Sequence, residues 1–183
     1  MATPIRTLHS NEAYHVYNRG NRSEPIFIDS HDYIRFLEKA FEYASRDGVA
    51  ILAYCLMTNH FHFLLFQTEE KGIERMMRSL STSAAKFYNW QYGQVGHLFQ
   101  ERYRHRQVCD SDDLINAAAY IHFNPAGFTN YETYLWSDIE AKTNVKGRKA
   151  LLGLIDLTEL GYREYLSDYA LKNGFRQTTS GVV

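Results

Sequence analysis

The chain has 183 residues, 45% apolar and 22% charged, with a net charge of -1, an ordinary globular composition that suits one domain with an appendage better than two full domains. Its apolar runs fall far short of the ~20 residues of a membrane-spanning helix, Met1–Asn11 carries no basic-then-apolar leader, and the two cysteines, Cys55 and Cys109, sit in unlike surroundings, so a reducing cytoplasm is expected rather than a disulfide framework. The near-neutral total excludes a protein coated in positive potential but not a local patch, since Lys71–Gln107 holds seven bases against two acids.

Glu12–Arg19 alternates as a strand, with Tyr14 and Val16 on one face and His15 and Tyr17 on the other. Gly20 and Asn21 supply turn chemistry, and Ile26–Ile28 reads as a short extension or a second strand. Asp29 or Ser30 caps a helix whose apolar residues Tyr33, Leu37, Ala40, Phe41 and Ala44 recur every three to four positions until Gly48 ends it. Val49–Met57 is an apolar, β-branched run that predicts a buried strand. After the break at Thr58 and Asn59, His60–Phe66 is its hairpin partner.

Thr68–Gln91 has helical periodicity. Its Met and aromatic stripe is read as core, with Arg75, Arg78 and Lys86 mostly off that stripe. His97–Val108 reads as extended, so Arg102, Arg104 and Arg106 should project from one face. Asp110 or Ser111 caps a further helix that stops at Asn124, because Pro125 disfavours helical geometry there. A last helical stretch runs over roughly Arg148–Asn173, followed by a loose tail from Phe175. The order predicts an α+β, ferredoxin-like βαββαβ fold: an antiparallel sheet with two helices on one face, followed by a C-terminal helix and a helical tail. Residues 1–140 are expected to form the main domain and 141–183 an extension.

His60 and His62 flank Phe61 in a strand, so alternation puts both imidazoles on one face, where they can share a divalent ion. The triplet taken by itself is weak evidence, since surface histidines two apart arise by chance. Tyr120 and Asn124 share a helix face one turn apart. A carboxamide oxygen can ligate Mg²⁺ or Mn²⁺, and a phenol can act as a nucleophile. The ordinary alternatives are a core tyrosine and a helix-terminal asparagine set only by Pro125. Three guanidiniums on one strand face repel unless something anionic visits, which favours a phosphate-tracking role for Arg102, Arg104 and Arg106. Arg78 and Lys86 are weaker candidates for the same role. His97, His105, His122 and His15 are expected to be structural or surface residues.

The segment Leu56-Met57-Thr58-Asn59-His60-Phe61-His62-Phe63-Leu64-Leu65 resembles the "LMxNHxHLL" signature of the HUH single-tyrosine transposases, in particular the REP-associated tyrosine transposases related to the IS200/IS605 type. Further pieces match in order. Tyr14–Val16 and Asn18–Asn21 resemble the opening strand, Gly96–Tyr103 resembles "GHLWxxRY", Tyr120–Pro125 resembles "YIxxNP", and Tyr134–Ser137 is a looser echo of "YPWSS". The departures are Thr58 for a common proline, Phe63 for a leucine, and Ala126-Gly127 for a frequent Arg-Ala pair. The resemblance spans roughly residues 13–138. It implies that His60, His62 and Asn124 are the metal ligands, for Mg²⁺ or Mn²⁺, and that Tyr120 is the nucleophile. It further implies a metal-dependent single-stranded DNA endonuclease and strand transferase, acting at palindromic hairpins through a 5′-phosphotyrosine. The partner is then single-stranded or hairpin DNA and no membrane, and the protein a monomer or homodimer. Two rivals stand beside that reading: a DNA-binding module without chemistry, and a metal-dependent hydrolase that uses water.

Overall fold

The computed structural model describes residues 8–140 and 144–175; the beginning of the chain and the expected tail from residue 176 lie outside the described residues. Four strands, β1 (Glu12–Arg19), β2 (Val49–Met57), β3 (His60–Gln67) and β4 (Arg104–Val108), form one antiparallel sheet in the order β2-β3-β1-β4. Two helices, α1 (Ser30–Arg46) and α2 (Gly72–Tyr92), join them in the expected βαββαβ order. Asp29 caps α1 in a reciprocal capping box with Asp32. Asp110 caps α3 (Ser111–His122), and Asn124-Pro125 opens a 3₁₀ turn where α3 ends.

Strand alternation sorts the sheet into two faces. Tyr14, Val16, Tyr54, Leu56, Phe61, Phe63 and Leu65 meet α1 and α2, with Phe36, Met76, Met77 and Leu80 filling the space between. The other face offers Ala53, Cys55, Met57 and Leu64 to α3, and two further helices, α4 (Val145–Ile155) and α5 (Glu159–Lys172), share that second core. The exposed edge of β2 is covered rather than left open: Leu56 N donates to Trp136 O and Tyr134 Oη to Leu56 O, and Trp136 stacks on Tyr33.

A buried polar network ties α3 to the helices that follow. Asp138 Oδ1 accepts from Tyr54 N at 2.7 Å and stands 3.0 Å from His122 Nε2, while its Oδ2 accepts from Asn144 Nδ2. Tyr162 Oη sits 3.1 Å from His122 Nδ1, and Arg148 donates to the carbonyls of Asp138 and Ile139. His122 is therefore a structural residue, as its position in the helix suggests.

The structure differs from the sequence reading in three places. Ile26–Ile28 is not a strand; Ile26 N and Phe27 N both donate to Thr58 O, and both side chains enter the core. The expected helix over Arg148–Asn173 is two helices, because Asp156 adopts a left-handed conformation at the end of α4 and Thr158 caps α5. Finally, β4 starts only at Arg104. Before it, Leu98, Phe99 and Tyr103 turn inward to the α1/α2 core, which breaks the extended run, so Arg102 lies on a bend outside the strand.

Candidate active site

The strand register sets the site. Across the face that α3 partly covers, Tyr17 pairs with His62 on one side and with Arg104 on the other; Arg19 pairs with His60, and His15 with Arg106. The result is a polar field on β3, β1 and β4 at the end where the cover of α3 stops. Gly20 makes the chain exit from β1 possible, since a Cβ there would collide with the Glu24 carbonyl oxygen. Asn18 Nδ2 donates to Glu101 O and Gln100 N to Arg19 O, which fastens the segment before β4 to the end of β1. Between them opens a cleft of about 420 Å³, lined by Tyr17, Arg19, Arg102 and Arg104 beside His60 and His62.

The last turn of α3 and the 3₁₀ turn after it bring Tyr120 and Asn124 to the two imidazoles. The Tyr120 ring packs edge-on against His62 and His15, with centroids 5.8 and 5.7 Å apart. It remains 50% exposed, so the phenol is not sealed in the interior. His60 and His62 lie perpendicular, 5.2 Å between centroids, so the rings are side by side rather than splayed.

Hydrogen bonds fix which nitrogen of His60 faces the site. Asn59 Nδ2 donates to Ser23 O at 3.0 Å, which turns Asn59 Oδ1 toward His60 Nδ1, 2.7 Å away. His60 Nδ1 therefore donates, and the lone pair of the neutral ring lies on Nε2. That atom stands 3.3 Å from Asn124 Oδ1, while the Asn124 amide nitrogen is turned to Tyr120 O. Burial lowers the pKa of His60 from its ordinary value, which favours the neutral ring. Two acceptors facing each other repel unless a cation joins them. Two ligand atoms each about 2.1 Å from one ion and at roughly a right angle stand about 3 Å apart. The donor set and its spacing fit a divalent ion. His62 is buried, and desolvation, with the neighbouring His15 and His60, holds its pKa well below the usual imidazole value.

His15 was not expected here. It is buried, and its Nε2 stands 2.9 Å from His62 Nδ1. Asn59, a fixed position of the motif, and Tyr17, on the His15 face of β1, were not named as site residues by the sequence reading; the Tyr17 ring lies nearly parallel to His62 at 5.6 Å. The shared parity of His15 and Tyr17 along β1 was the signal available, and only the register joins it to β3.

The five basic candidates separate. Arg102 and Arg104 line the cleft, and Arg104 forms an exposed pair with Glu101 at 3.3 Å. Arg106 shares the face of Arg104 but is engaged by Asp113 at 2.7 Å. The three do not share one strand face, because Arg102 precedes β4. Arg78 and Lys86 are exposed on α2, in the layer across the sheet, and are not brought to the imidazoles. In that layer Asp29, His31 and Asp32 also lie close enough to hold an ion. Their carboxylates are already used at the start of α1: Asp29 accepts from Asp32 N, and Asp32 accepts from Ile28 N, Asp29 N and Tyr92 Oη.

Comparison with known proteins places the fold and the family. A solved structure described as a REP-associated tyrosine transposase bound to a REP hairpin superposes with a TM-score of 0.65 at 13% identity, covering 80% of this chain and 87% of that one. A putative transposase from Deinococcus radiodurans gives a TM-score of 0.46 at 17% identity, covering 61% and 89%. No curated protein matches the chain. The family profile for "Transposase IS200 like" matches residues 9–124, which run from just before β1 to Asn124 and take in both imidazoles and Tyr120. The chain has the fold of the REP-associated tyrosine transposase and belongs to the IS200-like transposase family.

Proposed function

We propose that the protein is a divalent-metal-dependent enzyme that cleaves and rejoins single-stranded DNA through a phosphotyrosine, with Tyr120 as nucleophile and His60, His62 and Asn124 as metal ligands. The observation that carries this reading is the meeting, at one end of the sheet, of a half-exposed phenol packed on His62 with His60 Nε2 and Asn124 Oδ1, which stand 3.3 Å apart. A bound Mg²⁺ or Mn²⁺ would neutralise charge on the scissile phosphate and orient it for in-line attack. Tyr120 Oη forms the new bond to phosphorus, its proton leaving to water. The bond from phosphorus to the 3′ oxygen breaks, and that oxygen takes up a proton to become a free 3′-hydroxyl. The 5′-phosphotyrosyl ester keeps the energy of the broken diester, so attack by another 3′-hydroxyl reverses the step and transfers the strand without a nucleotide cofactor.

Arg102 and Arg104 lie where the backbone of a strand crossing the cleft would pass, and Tyr17 offers an aromatic surface beside them. The solved relative is described as bound to a REP hairpin, and a hairpin with an unpaired flank is the substrate proposed here. The experiment is to incubate a hairpin oligonucleotide with the protein and Mn²⁺ and to look for a denaturation-resistant adduct. Wild type should form one, mapped to Tyr120, and Tyr120→Phe should lose it by about 10⁴-fold or more while still binding DNA. Metal-dependent nicking that survives in Tyr120→Phe would favour water as the nucleophile. DNA binding with no nicking at all would favour a non-catalytic module.

A further inference from the structure

We propose that His15 is a positioning residue for the site, accepting a hydrogen bond through its Nε2 from His62 Nδ1 and so directing the His62 Nε2 lone pair to the metal. The proposal rests on the reading of His62 as a metal ligand. An imidazole ligates through an unprotonated nitrogen, and the proton on its other nitrogen needs a partner that fixes both tautomer and ring direction. For His60 that partner is Asn59 Oδ1, at 2.7 Å from Nδ1. For His62 the atom in the same place is His15 Nε2, at 2.9 Å from Nδ1.

The two contacts have one form: each ring has its Nδ1 engaged from behind, which leaves Nε2 as the nitrogen available to the site. His15 reaches its partner diagonally. It pairs across the strands with Leu64, while His62 pairs with Tyr17, so the two imidazoles stand on neighbouring rungs of one sheet face. Both rings are buried, and the Tyr120 ring packs edge-on against both. The pair therefore has little rotational freedom and no ready exchange of its hydrogen bond for one to bulk water.

The choice of an imidazole over a carboxylate has a physical consequence. A carboxylate behind His62 would polarise the ligand more strongly, but it would also put a buried negative charge beside the place where a phosphate must bind. A neutral ring nitrogen orients the ligand without that repulsion. Arg106, across from His15 on β4, is already engaged by Asp113 and adds no charge of its own that lacks a counterpart.

Two variants test the proposal. His15→Gln places an amide oxygen near the position of Nε2 and can still accept; His15→Leu keeps bulk and removes the acceptor. Mn²⁺ affinity is read by electron paramagnetic resonance titration, and the His62 tautomer in metal-free protein by ¹⁵N chemical shifts. Wild type should show His62 protonated on Nδ1. His15→Leu should bind Mn²⁺ about 10- to 100-fold more weakly and show a mixed tautomer, while His15→Gln should stay within a few-fold of wild type. Thermal unfolding of each variant reports any loss of structure; a structural role for His15 would lower both variants' melting temperatures without the split between Gln and Leu in metal affinity or tautomer. Unchanged Mn²⁺ affinity in His15→Leu, or equal losses in both variants, would overturn the proposal while leaving the ligand assignment standing. A wild-type chain that binds no Mn²⁺ would overturn the ligand assignment and the proposal together.

Discussion

The two faces of the sheet come from the same strands and have opposite chemistry. Along β3, Phe61, Phe63 and Leu65 point into the α1/α2 layer and are fully buried, while His60, His62 and Leu64 point the other way. The helical layer covers its face from end to end with apolar side chains, each buried large residue contributing about 1.5–3 kcal/mol. On the opposite face α3 covers Leu64, Ala53 and Cys55, then stops above His62 and leaves Tyr17 and Arg104 beside an open cleft. A single strand thus presents apolar side chains to the α1/α2 core on one side and, at its other face, the two imidazoles of the proposed site.

That division can be broken or sharpened by substitution. The largest effect on stability belongs to the helical layer: Met76→Ala, at a fully buried position, should cost about 2–5 kcal/mol in a denaturant titration and leave Mn²⁺ affinity within twofold. A matching loss of metal binding would mean that the two faces are coupled.

A smaller effect lies where α1 meets α2. Asp47, beside the Arg46 guanidinium at 2.6 Å and also near Arg75, is held below the usual carboxylate range chiefly by the Arg46 hydrogen bond. Its folded-state pKa is depressed, so its stabilisation is full above the unfolded value of 3.8 and is lost as pH falls through the folded one. Asp47→Asn should remove about 1 kcal/mol at neutral pH and flatten the acid limb of the stability curve below that value. An unchanged acid limb would remove the clamp from the account.

The smallest effect compares cations on the two sides. Arg104→Gln should reduce the slope of log affinity against log salt for single-stranded DNA by about 1, and Arg78→Gln should leave it unaltered. The reverse result would put the DNA on the helical layer.

Much of this division was legible in the sequence. Period-two alternation in β1 and β3 put His60 and His62 on one face, and the 3–4 spacing in α1 and α2 marked the helices that cover the other. Asn124-Pro125 marked the end of α3. What the sequence withheld was register and docking. His15 has the right parity on β1, but nothing local says that it stands one rung from His62. Arg102 looked like a strand residue because the arginines alternate, whereas inward burial of Leu98, Phe99 and Tyr103 bends the chain before β4 begins. The break between α4 and α5 depends on a left-handed Asp156, a conformation that non-glycine residues adopt only occasionally. The motif resemblance singled out Tyr120, His60, His62 and Asn124, the residues of the proposed site, because a motif is defined by residue type and order. Of the contacts behind the two imidazoles, that of Asn59 with His60 is between sequence neighbours inside the motif, whereas that of His15 with His62 joins two strands and had no sequence signature.

The central claim is that a single ion is gathered by both imidazoles and the Asn124 carboxamide beside Tyr120. Electron spin echo spectroscopy of the Mn²⁺-loaded protein labelled with ¹⁵N-histidine measures it most directly. Two directly coordinated imidazole nitrogens are expected in wild type, falling to one in His60→Gln with Tyr120 still in place. A spectrum of fully hydrated Mn²⁺, or two couplings that persist in His60→Gln, would contradict it.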